Sequence, residues 1–337
     1  MSIEVIQPGL LTTVQDLGRY GYQKYGVIVS GAMDSISVRL ANLLVGNKEN
    51  DAVLEMTLQG PSLQFQQSHV IAICGGDFQA MIDNHTVPPW RPVWVRQGSV
   101  LRLGKAKSGC RAYLSISGGI DVPEVLGSKS TYLRAGLGGF LGRPLKKGDL
   151  LSVNRSSIES GRCNNIFKED YYKGTPFKTV HWSIGSNVYN LVHAKPIIQV
   201  IQGPQFECFT SQCQVQLFKE SYRVSPQSDR MGYRLIGPRL ELKQPIEMTS
   251  EAVCMGTIQV PPNGEPILLL ADRQTTGGYP IIGFVASVDL PTLGQLKPGD
   301  KFKFKEISLR EAQWLFLERE KGMKAIKIGI NSLLYGR

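Results

Sequence analysis

Two short stretches in the second half of the chain put acid, guanidinium and hydroxyl groups close enough together to do chemistry. SPQSDRMGYRL (225–235) carries Asp229, Arg230 and Arg234. ADRQTTGGYP (271–280) carries Asp272, Arg273, Gln274, Thr275, Thr276 and Tyr279, directly after the apolar run ILLLA. Glu251 lies between them in TSEAV. A planar guanidinium fork matches a carboxylate or phosphate, so Arg230 or Arg273 is the expected anion-binding group. Asp229 or Asp272 is expected to transfer a proton or to orient an arginine. Gln274 and Thr275 supply hydrogen-bond donors, and Arg234, Glu251, Thr276 and Tyr279 are expected to complete a substrate site. Gly277 and Gly278 lack a β-carbon, so their backbone N–H groups can approach an anion closely. The same residue types also serve plain structure, because Asp-Arg neighbours fix loops and Gly-Gly marks turns.

Other stretches are weaker candidates. Gln15, Asp16, Arg19 and Tyr20 in TTVQDLGRYGY read as a turn between strands or as one wall of a cleft. TYLRAGLGGFLGR (131–143) sets glycines beside Arg134 and Arg143, but Leu141 breaks a G-x-G-x-x-G pattern, which leaves a flexible loop as the simpler reading. GSVLRLGK (98–105) has one residue too many between its glycines for a phosphate loop and also reads as strand. The chain therefore carries no nucleotide-binding motif that the sequence reveals. The six cysteines and four histidines are scattered, with no C-x-x-C or H-E-x-x-H, so no metal motif is read and the thiols are expected reduced.

These residues must be held by β-structure. Short apolar runs such as VIAIC (70–74), SVLRL (99–103), AYLSI (112–116), PIIQVI (196–201), VQLF (215–218) and KFKFK (301–305) alternate with Gly and Pro, the pattern of short strands in closed or sandwiched sheets. Two helices are expected. DSISVRLANLLVG (34–46) has Asp34 as cap and Gly46 as stop. SLREAQWLFLEREKG (308–322) has a Ser308/Glu311 capping box and Gly322 as stop.

The chain also repeats itself. IEVIQPG (3–9) matches IQVIQGP (198–204), and SGAMDSISVRL (30–40) matches SPQSDRMGYRL. LQGPSLQF (58–65) matches LIGPRLEL (235–242), and GRPLKKGDLLSV (142–153) resembles LGQLKPGDKFKF (293–304). Matches in one order imply two related β-domains, 1–178 with a helical insertion and 179–337 ending in a helix, joined through the Gly/Asn-rich stretch 156–179. Ser225, Asp229 and Arg234 would then share a barrel corner with Ser30, Asp34 and Arg39.

PGLLTTVQDLGRYGYQKYGVIVSGAMD (8–34), SDRMGYRL (228–235) and ADRQTTGGYPIIGFVASVDLPTLGQLKPGD (271–300) resemble one family over nearly the whole chain. It is the carboxyltransferase-like family that includes the C component of 5-oxoprolinase, the antagonist of the sporulation-kinase inhibitor Kip, and part of the urea carboxylase region of urea amidolyase. The resemblance implies two cyclophilin-like β-barrel domains. It implies two partner proteins, one Kip-inhibitor-like (the B component) and one LamB/YcsF-like (the A component). The implied reaction is ATP-dependent opening of 5-oxo-L-proline to L-glutamate, with this chain inactive alone. Two other roles stay open: sequestering a Kip-type inhibitor of a histidine kinase, and carboxyl transfer from a biotin carrier. The chain has no Met-Lys-Met string, so biotin would arrive on another chain.

The bulk numbers fit such a protein. The 337 residues are 42% hydrophobic, enough for two ordinary cores, and no apolar run is long enough to span a membrane. The start lacks a signal-peptide layout, so the cytoplasm is expected. Net charge is +10, spread without an aromatic-basic ladder, which favours anionic small molecules or an acidic partner over nucleic acid.

Overall fold

The computed structural model describes residues 2–155, 167, 175–185 and 196–335. It is mainly β, as expected, and forms two compact units. The units do not follow the division at 178/179. The first comprises Met1–Arg19, Asp34–Leu191 and Met323–Arg337, and the second Tyr20–Met33 and Val192–Gly322. Two segments are thus exchanged. Burial decides where each belongs: Met33 lies in the core of the second unit, and Met323, Ile330 and Leu334 lie in a core of the first.

The second unit is a closed barrel of seven strands. In spatial order they are Ile197–Gln202, Ile281–Val285, Thr257–Gln259, Ile267–Leu269, Gly232–Ile236, Ser221–Val224 and Lys301–Glu306. All neighbours are antiparallel except the closing pair, where Ile197 lies opposite Lys303 in parallel register. The period-2 pattern explains the closure. In KFKFKE, Phe302 and Phe304 point inward and the lysines outward, and Tyr222 packs its ring 5.2 Å from that of Phe304.

The first unit holds two six-stranded sheets around one shared core that includes Ile3, Val5, Phe65, Ile73 and Leu114. Its long strands His69–Asp77 and Ser108–Ile116 are buried on both faces. One face meets that core, and the other lies under helix α1 (Ser35–Leu44), where Val70, Ala72 and Cys74 join Leu40 and Leu44. Asp34 caps α1 as expected: its carboxylate accepts from Ser37 N at 3.0 Å and Ser37 Oγ at 2.6 Å. Residues 177–179, expected as linker, form a strand paired with Val93–Val95; most of 156–174 lies outside the described residues.

Three local expectations are corrected. VQLF is not a strand. It belongs to helix α2 (Ser211–Lys219), capped by Thr210, with Cys213 and Leu217 one turn apart on its buried side. A four-residue run with one polar residue among its apolar ones suits either element, and the cap decides. A one-turn helix α3 (Leu290–Gly294) precedes the last strand. Helix α4 (Leu309–Tyr335) starts where expected, with Glu311 N donating to Ser308 Oγ at 3.1 Å, but runs through Gly322. Burial of Met323, Ile330 and Leu334 beyond the glycine outweighs its roughly 1 kcal/mol helix penalty. The Ser-Asp-Arg-Leu repeat does not mark a common corner either. Asp34 opens a helix in the first unit, whereas Asp229 caps a turn between two barrel strands of the second.

His69 tests the first unit's packing. Burial beside Phe65 lowers its pKa from the ordinary value to about 4. The neutral ring is therefore the folded form, and the unfolded chain binds the extra proton. Stability is fully present above pH ~6.5 and falls as pH drops towards 4. We expect His69→Gln to flatten the decline in melting temperature between pH 6.5 and 4; an unchanged slope would show that other groups cause it.

Candidate functional site

The barrel ladder brings the two chemically rich stretches together. Gly232 pairs with Leu269 at the end of the antiparallel pair Gly232–Ile236 and Ile267–Leu269. The pairing continues past both strands, with Leu270 N donating to Met231 O and Asp272 N to Arg230 O, each at 2.9 Å. Arg230 and Asp272 are therefore neighbours because the same ladder ends between them. Their side chains form a bidentate ion pair: Arg230 Nε donates to Asp272 Oδ2 at 2.9 Å and Nη2 to Oδ1 at 3.0 Å. Both are buried, at 6% exposure each.

Two further contacts complete this network. Ser30 Oγ donates to Asp272 Oδ1 at 2.8 Å, and Arg230 Nη2 donates to Gly31 O at 2.6 Å. Both come from Tyr20–Met33, the segment that packs into the second unit. Arg230 already donates to a carboxylate and a carbonyl, so it is engaged as a clamp.

Arg273 differs. It is half-buried, and its guanidinium donates to two backbone carbonyls, Leu270 O at 3.2 Å and Val253 O at 3.5 Å. Burial pulls its pKa below the ordinary arginine value, opposed by nearby Cys254, Tyr20 and Asp272. No carboxylate is paired with it in the network above, so its charge is more open to an anion than that of Arg230.

The remaining expected residues separate into groups. Asp229 is exposed, and its Oδ1 accepts from Met231 N at 2.8 Å and Gly232 N at 3.3 Å, so it fixes the turn. Arg234 projects outward from its strand. Glu251 lies opposite Gly277, and Ala252 opposite Thr276, in a two-residue ladder. Val253 N donates to Thr275 O at 3.1 Å, which extends that pairing. Gly277 is buried because the Gln259 side chain packs where a β-carbon would stand, so its role is close packing. Gln274, Thr276, Gly278 and Tyr279 are exposed. The loop then runs into a cleft of about 640 Å³, walled by Gly278, Tyr279 and Pro280 with Leu240, Leu242 and Arg239. The sequence reading missed Ser30, Gly31 and Arg239.

The candidates of the first half also come together, as structure. The Asp16 carboxylate accepts from Gly18 N at 2.8 Å, Ser128 Oγ at 2.8 Å, Lys129 N at 2.6 Å and Ser130 Oγ. Fully buried Arg19 donates to Val125 O at 2.9 Å and Ser130 O at 3.0 Å. The glycine loop 132–143 is not loose. Tyr132 and Leu137 exchange backbone bonds, and Gly139 packs against the Thr131 side chain where a β-carbon cannot fit. GSVLRLGK contains the strand Val100–Arg102, which pairs on both sides. Among the described residues, no group of three His, Cys, Asp or Glu side chains could hold a metal ion, and no helix is long and apolar enough to cross a membrane.

Residues 25–306 match the family described as carboxyltransferase domain, subdomain A and B. The chain belongs to this family. It is 37% identical to the 5-oxoprolinase C component of Haemophilus influenzae, over 94% of this chain and 95% of that protein. It is 37% identical to the corresponding C component of Escherichia coli 5-oxoprolinase, over 92% and 93% respectively. The crystal structure of Kluyveromyces lactis urea carboxylase matches it with a TM-score of 0.85 at 34% identity, over 96% of this chain and 29% of that one. As a carboxyltransferase-domain protein, the chain thus carries the buried Arg230–Asp272 pair at the base of the loop 271–280, whose far end walls a cleft.

The ion pair makes a direct test. Losing one partner leaves an uncompensated buried charge, so Arg230→Met should cost about 3–5 kcal/mol in a denaturant melt. The double variant Arg230→Met/Asp272→Leu should regain most of that loss. Equal instability of single and double variants would show that the pair does not set the cost.

Proposed function

We propose that this chain is one component of an ATP-dependent 5-oxoprolinase, which opens 5-oxo-L-proline to L-glutamate together with partner subunits. The observation that carries the reading is the likeness, over more than nine-tenths of both chains, to two bacterial 5-oxoprolinase C components. A Kip-inhibitor-like B component and a LamB/YcsF-like A component are the partners it calls for. ATP is held largely by those partners, a reading supported by the strand geometry of the glycine-flanked segment 98–105.

The chemistry is demanding because a lactam is a resonance-stabilised amide. Transfer of the γ-phosphoryl group of ATP to the lactam oxygen makes ADP and activates the ring carbon. Water then adds to that carbon, the C–N bond breaks as the nitrogen takes a proton, and the resulting acyl phosphate is hydrolysed by a second water to the side-chain carboxylate and free phosphate. Donors must meet the negative charge as it develops. In this reading Arg273 takes the substrate carboxylate or the phosphoryl group. Gln274 and Thr275 donate hydrogen bonds, with Thr276, Glu251 and Tyr279 around them. Asp272 acts on Arg230, holding the loop base, and is not the proton-transfer group.

A second reading, carboxyl transfer from a carboxybiotin on another chain, is favoured by the family description and by the match to urea carboxylase. A third, binding a Kip-type inhibitor, needs only a partner surface. One experiment separates them: the chain is mixed with both partner subunits and ATP-dependent glutamate release is measured, with and without avidin. We expect release only when all three are present, insensitive to avidin. Arg273→Gln should lower kcat/KM by about ten-fold or more, as loss of a charged hydrogen bond does, while complex assembly is unchanged. Equal release without this chain would refute the assignment, and loss of activity with avidin would favour carboxyl transfer.

A further inference from the structure

Ser30 has φ 56°, in the left-handed region where a β-carbon crowds the backbone. Glycine accepts that conformation without strain, and the chain places glycine at the next position, Gly31, at φ 87°. At position 30 it carries a side chain, which is 4% exposed. Its hydroxyl donates to Asp272 Oδ1 at 2.8 Å, across 242 positions of sequence. One residue on, Gly31 O accepts from Arg230 Nη2 at 2.6 Å. A single dipeptide thus holds both halves of the ion pair, a donor to the carboxylate and an acceptor for the guanidinium. The dipeptide is itself anchored, since Ile28, Val29 and Met33 are buried on either side of it.

We infer that Ser30 is a positioning residue for the 271–280 loop. Two bonds of one guanidinium leave the Asp272–Arg230 plane free to tilt. A third donor on Oδ1 from a separate segment stops that tilt. Arg273 follows Asp272 directly, so the direction of its guanidinium is set by the same lock. In this role Ser30 acts on the loop through Asp272, without itself binding substrate. The inference rests on the proposed assignment of Arg273 to an anionic group of the substrate.

The test uses the complex with both partner subunits. Ser30→Gly removes the hydroxyl and leaves an unstrained backbone. Ser30→Asn supplies an amide donor on a residue that tolerates left-handed geometry. We expect Ser30→Gly to raise the KM for 5-oxoproline about ten-fold, with the KM for ATP unchanged and the melting temperature unchanged or higher. Ser30→Asn should recover most of the substrate KM. A wild-type KM in Ser30→Gly overturns the inference. So does a loss that falls equally on both KM values with a lowered melting temperature, which is what a merely structural serine would give. If Ser30→Gly yields no folded chain, Ser30→Ala compared with Ser30→Asn decides by the same KM difference. A wild-type complex that releases no glutamate overturns the functional reading itself, before any variant is compared.

Discussion

The buried pair between Arg230 and Asp272 is the constraint on which the candidate site depends. Two charges without water are tolerable only when their hydrogen bonds are met, because the desolvation cost of each is several kcal/mol. Here the carboxylate receives two bonds from the guanidinium and one from Ser30, and the guanidinium gives a further bond to Gly31 O. The requirement reaches outward from there. The turn that carries Arg230 must be tight, which Asp229 ensures by accepting from Met231 and Gly232 N–H groups. The strand after it must pair with Ile267–Leu269, so that Asp272 emerges at the matching level. The distant segment 28–33 must reach the barrel, which its apolar residues secure by burial.

Much of this was legible in the sequence because it is local and periodic. The alternation in KFKFKE fixes which side chains enter the barrel, and that strand lies where the pattern puts it. Asp34 and Gly46 bracket a helix by cap chemistry alone. The two polar stretches 228–234 and 271–280 read as one site, and the ladder between their strands makes them neighbours.

What was not legible depends on partners far along the chain. Nothing near Ser30 says that its hydroxyl meets Asp272; the only local hint is SG, a pair suited to a left-handed turn. VQLF misleads because three apolar residues around one glutamine are too few to set a period, and only the upstream Thr210 identifies the helix. Gly322 looks like a stop because local propensity favours one there. Burial of three residues beyond it overrides that preference, a tertiary effect with no local sign. The apparent twofold repeat Ser-Asp-Arg-Leu is a likeness of letters, serving a helix cap in one copy and a hairpin turn in the other.

The exchange of two segments between the units bears on how the chain is made. A ribosome delivers residues 20–33 early, yet the barrel that buries Met33 is not complete until strand Lys301–Glu306 has emerged. Conversely, the layer beneath α1 waits for Met323, Ile330 and Leu334, which follow the last barrel strand in the chain. Neither unit can mature as an independent product of one contiguous stretch of message. Strictly vectorial folding, one unit completed before the other begins, is closed to this pair, because each unit needs a segment that lies beyond part of the other in the chain.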